Sequence, residues 1–225
     1  MSHTVNSPSS PPQPQGMLFV ACDLDPAADE RDFNRWYDRE HVEERVRIPG
    51  FLSGARYFSL EGGRKYLGLY LTRSLDAFTS DAYRAAFQRQ TPWSVANLDR
   101  MRDPMRRVCA VTAQTGMGSG SHLAVLPLAA SDDALQAQAQ ALGAALAEID
   151  GFVHAYLLTP DASLSTPLPR ESPENRRLDP IFVIEAGTEA AARALRARAR
   201  ETLGARAADA WLMALGWKLN AADLR

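Results

Sequence analysis

Short apolar runs alternate with longer stretches of three- and four-residue periodicity along most of the chain. Residues 17–23 (MLFVACD) form a nearly continuous apolar run of strand length, stopped by Asp25-Pro26, and predict a buried strand. Over residues 33–48 the side chains fall at helical steps. Tyr37, His41 and Arg45 are successive i,i+4 neighbours, and Trp36, Glu40 and Glu44 form the adjacent row. Asp29 or Asp32 supplies an N-cap, and Pro49 ends the helix at Ile48. A strand over 51–60, a Glu61-Gly62-Gly63-Arg64 turn and a return strand over 65–72 follow. In the return strand Tyr66, Gly68 and Tyr70 take one face and Leu67, Leu69 and Leu71 the other. A helix over 75–90, a short helix over 93–101 and a strand over 104–115 complete a β-α-β-β-α-β order, the split unit of a ferredoxin-like domain.

After a Gly-rich joint at 116–120 (GMGSG) the order recurs: strand 122–128, helix 131–149 capped by Ser131, strands 152–158 and 180–186, helix 188–203 capped by Thr188, and strand 210–219. Ile48-Pro49-Gly50-Phe51 returns as Ile149-Asp150-Gly151-Phe152, 101 residues on, which reads as a tandem repeat of one fold. The expected organisation is a tail at 1–16, a first repeat at 17–115, a linker at 116–120, and a second, degenerate repeat at 121–225. At that offset Leu142 stands in place of His41, so only the first repeat carries the histidine. A Pro-rich insertion at 159–179 divides the central strands of the second. Its composition favours disorder over a lid. The fold class is therefore α+β: two fused ferredoxin-like repeats that close into an intrachain, pseudo-dimeric barrel.

Composition narrows the function classes. Twenty-five Lys and Arg against 27 Asp and Glu, interspersed, leave a net charge of −2 and no basic face for nucleic acid. No apolar run is long enough to span a bilayer, and the Ser/Pro-rich tail has neither the basic nor the apolar part of a signal peptide. The expectation is a cytoplasmic protein with no nucleic-acid or membrane partner. Cys22 and Cys109 lack metal-ligand spacing and read as buried thiols on neighbouring strands. There is no phosphate-cradling Gly loop and no nucleophile elbow.

The run Asn34-Arg35-Trp36-Tyr37-Asp38-Arg39-Glu40-His41, followed by Ile48-Pro49-Gly50-Phe51, resembles the EthD-like members of the dimeric α+β barrel superfamily. The Tyr-x-x-x-His spacing and the PGF turn carry the likeness, and Pro92-Trp93 fits the same kind of domain. The likeness covers residues 17–115. It departs from the pattern at Val42-Glu43, where a proline is common after the histidine. The resemblance implies a barrel built within one chain and a spread of activities, from cyclases, dehydratases and isomerases to cofactor-free monooxygenases and haem enzymes.

Imidazole titrates near neutrality, so His41 is the candidate acid or base, with Tyr37 to bond the ring or a substrate oxygen and Glu40 or Glu44 to orient it. Trp36, Arg56, Tyr70 and Trp93 are the candidate substrate contacts, and Tyr57, Tyr66 and Arg107 would join them if their strand faces point inward. No metal and no cofactor is expected, because His3, His122 and His154 have no matching ligand partners. The expected activity is cyclisation, dehydration or isomerisation of a small hydrophobic or aromatic metabolite by proton transfer. The competing expectation is a non-catalytic protein that binds such a molecule or serves a pathway enzyme. A further pairing of the chain into a homodimer stays open.

Overall fold

A computed structural model describes residues 13–129, 132–174, 176–207 and 209–225. The expectations for residues 1–12 and for a Ser131 cap lie outside these. The strands are β1 (Gly16–Leu24), β2 (Phe51–Glu61), β3 (Tyr66–Thr72), β4 (Met101–Gly116), β5 (His122–Pro127), β6 (Phe152–Pro160), β7 (Ile181–Ala186) and β8 (Trp211–Asn220). They form one closed barrel in the order β1-β3-β2-β8-β5-β7-β6-β4, with every neighbouring pair antiparallel. The chain halves join at two seams, β2 against β8 and β4 against β6. Gly16 already pairs with Thr72, and Gln15 accepts a bond from the Val111 amide at 2.8 Å, so the end of the expected tail is part of the sheet.

Period-two alternation gives each strand an inner and an outer face. Phe19, Tyr57, Leu69, Val111, Leu123, Tyr156, Val183 and Met213 pack the barrel interior, leaving a cavity of about 100 Å³ beside Tyr57, Leu69 and Tyr156. Outside it lie two helix-covered layers. In the second half α5 (Leu135–Leu146) and α6 (Glu189–Leu203) press leucines and alanines onto the sheet. In the first half the layer is aromatic: Phe33, Trp36, Tyr37, Phe51, Tyr66, Tyr70, Phe78 and Tyr83. Cys22 belongs to this outer layer and Cys109 to the interior, so the two buried thiols face opposite sides of the sheet. Among the described residues no helix is long and apolar enough to cross a membrane.

The first helix is not continuous. It runs as α1 (Glu30–Trp36), a π turn at Tyr37–His41 in which the Val42 amide bonds the Tyr37 carbonyl, and α2 (Val42–Val46). Asp29 is the cap, accepting from the Arg31 and Asp32 amides at 2.9 and 3.2 Å. The expected helix over 75–90 is also divided. A 3₁₀ turn at Leu75–Thr79 stops at Ser80, whose hydroxyl caps α3 (Asp81–Gln88) by accepting from the Tyr83 amide. Thr91 and Pro92 then open α4 (Pro92–Asp99).

The insertion is an ordered strap, contrary to its composition. Beyond β1's partners, the edge of β4 from Met105 to Val108 has no strand beside it until β6 begins to pair at Cys109. The strap takes that place. Asp161 donates to the Val108 carbonyl at 2.8 Å, the Val108 amide donates to Ser165 Oγ at 2.9 Å, and the Arg106 amide donates to Glu171 Oε2 at 3.2 Å. Saturating an open strand edge supplies the order that a polar, proline-rich sequence does not supply by itself.

The recurring turn is built alike in both halves. Gly50 (φ +94°) and Gly151 (φ +83°) are left-handed, and a Cβ on either would come within 3.0 Å of Ala77 Cβ or 2.6 Å of Ala191 Cβ. Each carbonyl accepts a bond from the strand end beyond, Arg73 N at 2.8 Å and Gly187 N at 2.9 Å. Gly50→Ala and Gly151→Ala should therefore each lower unfolding free energy by about 1–2 kcal/mol. Urea titration should show the midpoint fall with an unchanged slope.

Candidate functional site

His41 sits in the π turn on the inner side of the first helix, against the outer face of the β1–β3 sheet. The extra residue of a π turn swings the following side chains round the axis, and here it turns the imidazole onto the Trp36 ring. The ring centroids are 4.4 Å apart, with Tyr37 at 5.1 Å and Tyr70 at 6.4 Å, both edge-on. His41 is 7% exposed, and its Nδ1 has no hydrogen-bond partner among the described residues. Burial, reinforced by the charges of Arg45 and Arg56, holds its basicity well below the ordinary imidazole value. The ring is neutral at physiological pH.

Beside the ring lies a recess of about 30 Å³, walled by His41, Arg45, Tyr70, Phe87, Met101 and Arg106. That is room for roughly two water-sized groups. It adjoins a groove of about 450 Å³ that shares Phe87, Gln90, Leu98, Arg106 and Leu168 with it and is lined further by Val95, Pro167 and Pro169. This is the size of a small-molecule site. Phe87 and Val95 are two of the four large apolar side chains left exposed among the described residues. The strap roofs the groove: Arg106 Nη1 donates to the Leu164 and Thr166 carbonyls at 2.9 and 3.0 Å, and Arg170 pairs with Asp99 through two bonds of 2.9 Å.

Of the residues singled out from sequence, the structure brings His41 and Tyr70 to this recess. Tyr37 lies just behind them. Its hydroxyl accepts from Tyr70 at 3.5 Å rather than bonding the imidazole, and burial pushes its ionisation up to about 12. Gly68 makes room for it, since a Cβ there would stand 2.6 Å from the Tyr37 hydroxyl. Glu40 does not orient His41. Its carboxylate accepts from Thr91 Oγ1 at 2.5 Å and Ser94 Oγ at 3.0 Å, anchoring the start of α4. Trp36 is fully buried and donates to Ser94 Oγ at 3.0 Å. Trp93 donates to both Asp32 oxygens at 3.2 Å, on the far side of α1.

Arg56 is a clamp. Its guanidinium bonds Asp38 at 2.7 Å and Asn34 at 2.6 Å and stacks 4.4 Å from Tyr37, 5.0 Å from Phe58 and 5.2 Å from Tyr66. Asp38 also accepts from Trp217 Nε1 at 2.8 Å, so one buried cation ties α1 to β2 and β8. Tyr57 faces the barrel interior, Tyr66 bonds Glu30, and Arg107 turns to the barrel end, where Glu171 and the Arg177 carbonyl hold it. The recess-lining residues not singled out include Arg45, Phe87, Gln90, Met101, Arg106 and Leu168. Arg45 was visible as the next residue on the Tyr37–His41 row, and Arg106 as a charge inside an apolar strand, whereas nothing in the sequence marks Leu168 as a wall.

Among the described residues no group of three or more His, Cys, Asp or Glu side chains could hold a metal ion. The haem that the resemblance admits does not fit against this imidazole, because the recess beside it has the volume of about two waters and is bordered by two guanidinium groups.

No protein-family model matches the chain, and no curated protein matches it in sequence. Solved structures do match in shape. An anthrone oxidase-like protein superposes with a TM-score of 0.60 at 13% identity, over 93% of this chain and 94% of its own. A candidate monooxygenase from Lactobacillus acidophilus NCFM gives 0.59 at 8% identity, over 93% and 97%. Another, from Fusobacterium nucleatum subsp. nucleatum, gives 0.57 at 8% identity, over 92% and 95%. These likenesses, together with the closed eight-stranded sheet, give the chain the dimeric α+β barrel fold.

The buried imidazole should leave a mark on stability. Above pH 6.5, the ordinary histidine value, neither the folded nor the unfolded chain protonates it. Below that, the unfolded chain takes a proton that the folded one refuses, so stability falls with pH, by at most about 1.4 kcal/mol per pH unit for each such histidine. His154, also lowered by burial and by Lys218, acts in the same direction. Urea midpoints measured from pH 7.5 to 5.5 should fall for the wild-type protein, and the fall should be shallower in His41→Gln.

Proposed function

We propose that the protein is a cofactor-independent enzyme that holds a small hydrophobic or aromatic metabolite in the groove roofed by the strap and moves a proton with His41. The observation that carries this reading is a neutral imidazole with an unbonded ring nitrogen at the end of a mostly apolar cavity of ligand size. A neutral imidazole accepts the proton of a carbon acid, and the enolate left behind can cyclise, lose water or be reprotonated elsewhere. Tyr70, on the recess wall, is placed to bond the developing oxyanion, with Tyr37 behind it. Trp36, Glu40, Arg56 and Trp93 act one step back, by fixing the helix and α4. One neighbour of this fold is described as an anthrone oxidase-like protein, which makes anthrone a reasonable first compound to try.

The same reading extends to the architecture. The strand orders β4-β1-β3-β2 and β6-β7-β5-β8, and the matched Gly50 and Gly151 turns, support two fused ferredoxin-like repeats at 17–115 and 121–225, the first EthD-like and carrying the only site. Reduced, buried cysteines fit a cytoplasmic setting.

Anthrone is a suitable carbon acid for the test. In anaerobic deuterated buffer, wild-type protein should speed deuterium incorporation at its C10 position, followed by proton NMR. His41→Gln, with its circular dichroism unchanged, should lose about 100-fold or more of that rate. A His41→Gln protein that still exchanges at the wild-type rate removes the imidazole from the mechanism. A wild-type protein that binds anthrone without exchange leaves a binding protein instead of an enzyme.

A further inference from the structure

Four buried side-chain nitrogen or oxygen atoms among the described residues have no hydrogen-bond partner: His41 Nδ1, Arg45 Nη1, Arg106 Nε and Arg56 Nε. The last belongs to the clamp, whose other nitrogens are bonded to Asp38 and Asn34. The first three all belong to residues that wall the one recess. Buried polar groups in folded proteins are paired almost without exception, so three orphans round one cavity point to something that belongs inside it.

Charge says what. Arg45 is 4% exposed and Arg106 is 3% exposed, and neither forms an ion pair among the described residues. The residues outside the described set include no Asp or Glu. Arg106 gives its remaining bonds to uncharged oxygens, the Leu164 and Thr166 carbonyls and the Thr166 and Tyr83 hydroxyls. Arg45 rests its guanidinium 4.9 Å over the Phe87 ring. Water in the recess could complete the hydrogen bonds, but it cannot cancel two buried positive charges.

We propose that the recess is a carboxylate site, and that Arg45 recognises the acid group of a flat aromatic ligand whose ring lies in the adjoining groove. A carboxylate occupies about the volume of two waters, which is the size of the recess. Its two oxygens suit the donors of Arg45 and Arg106. The ring beyond it meets Phe87, Leu98 and Leu168. The proposal rests on the reading that this cavity takes a small aromatic molecule, and it is independent of whether His41 moves a proton.

The test is isothermal titration calorimetry of the full chain with 2-naphthoate and its uncharged analogue 2-naphthamide. Wild-type protein should bind the acid about 10- to 100-fold more tightly than the amide. Arg45→Met should bring the two affinities level. Equal binding of acid and amide by the wild-type protein, or a preference that survives Arg45→Met, overturns the proposal. Should Arg45→Met fail to fold, the acid-to-amide ratio of the wild-type protein decides alone. A preference for the acid in a protein that exchanges no anthrone hydrogen keeps the carboxylate site and removes the proton-transfer reading. Binding of neither compound overturns the carboxylate site, and the anthrone exchange then decides the proton-transfer reading by itself.

Discussion

Closure of the sheet governs where anything else in this molecule can happen. Eight antiparallel strands close the ring, with only the Met105–Val108 stretch of β4 left for the strap to cover, and their inward side chains, from Phe19 and Tyr57 to Tyr156 and Met213, occupy most of the space they enclose. They leave one cavity of about 100 Å³ inside the wall, lined by Tyr57, Tyr156, His154 and Glu185, and the recess beside His41 lies outside it, beneath a helix. In the second half that layer is leucine and alanine, which pack against the sheet without an orphaned polar atom among the described residues. In the first half it is aromatic and arginine-rich, and the recess opens there.

Two arginines against the same sheet show how placement decides the fate of a buried charge. Arg56 has Asp38 and Asn34 for its nitrogens and a set of aromatic faces for its flat sides, so its charge is neutralised and its position fixed. Arg45, from α2, has an aromatic face and no carboxylate in ion-pair contact, with Glu44 near enough only to feel its charge. The field of both guanidinium groups falls on His41 and adds to the effect of burial in keeping the ring unprotonated. An anion beside Arg45 would cancel part of that field and return basicity to the imidazole.

Much of the scaffold was legible because strand alternation is a strictly local rule. Tyr66 and Tyr70 lie opposite Leu67 and Leu69 as the sequence requires. Which side faces the interior depends on closure with β8 and β6, and so Tyr70 and Arg56 point to the helix layer rather than into the barrel. The π turn was not legible, because one added residue leaves the apolar stripe nearly intact while changing what each side chain meets. Glu40 was assigned to His41 from helical rows, but Thr91 and Ser94, more than fifty residues along, compete for it and win. The strap was misread for a related reason. Its composition argues against a core of its own, yet it needs none, since β4 offers it a free edge and Arg106 and Arg107 offer it donors.

That strap has one more implication. It is carried by the later half of the chain, and it forms the ceiling over the half that holds His41. The later half of the chain thereby completes a cavity whose histidine belongs to the earlier half. Were the polypeptide severed at the glycine joint and the leading piece kept alone, the trough above the imidazole would lie open to bulk solvent, and the low-dielectric surroundings that set the ring's chemistry would be gone.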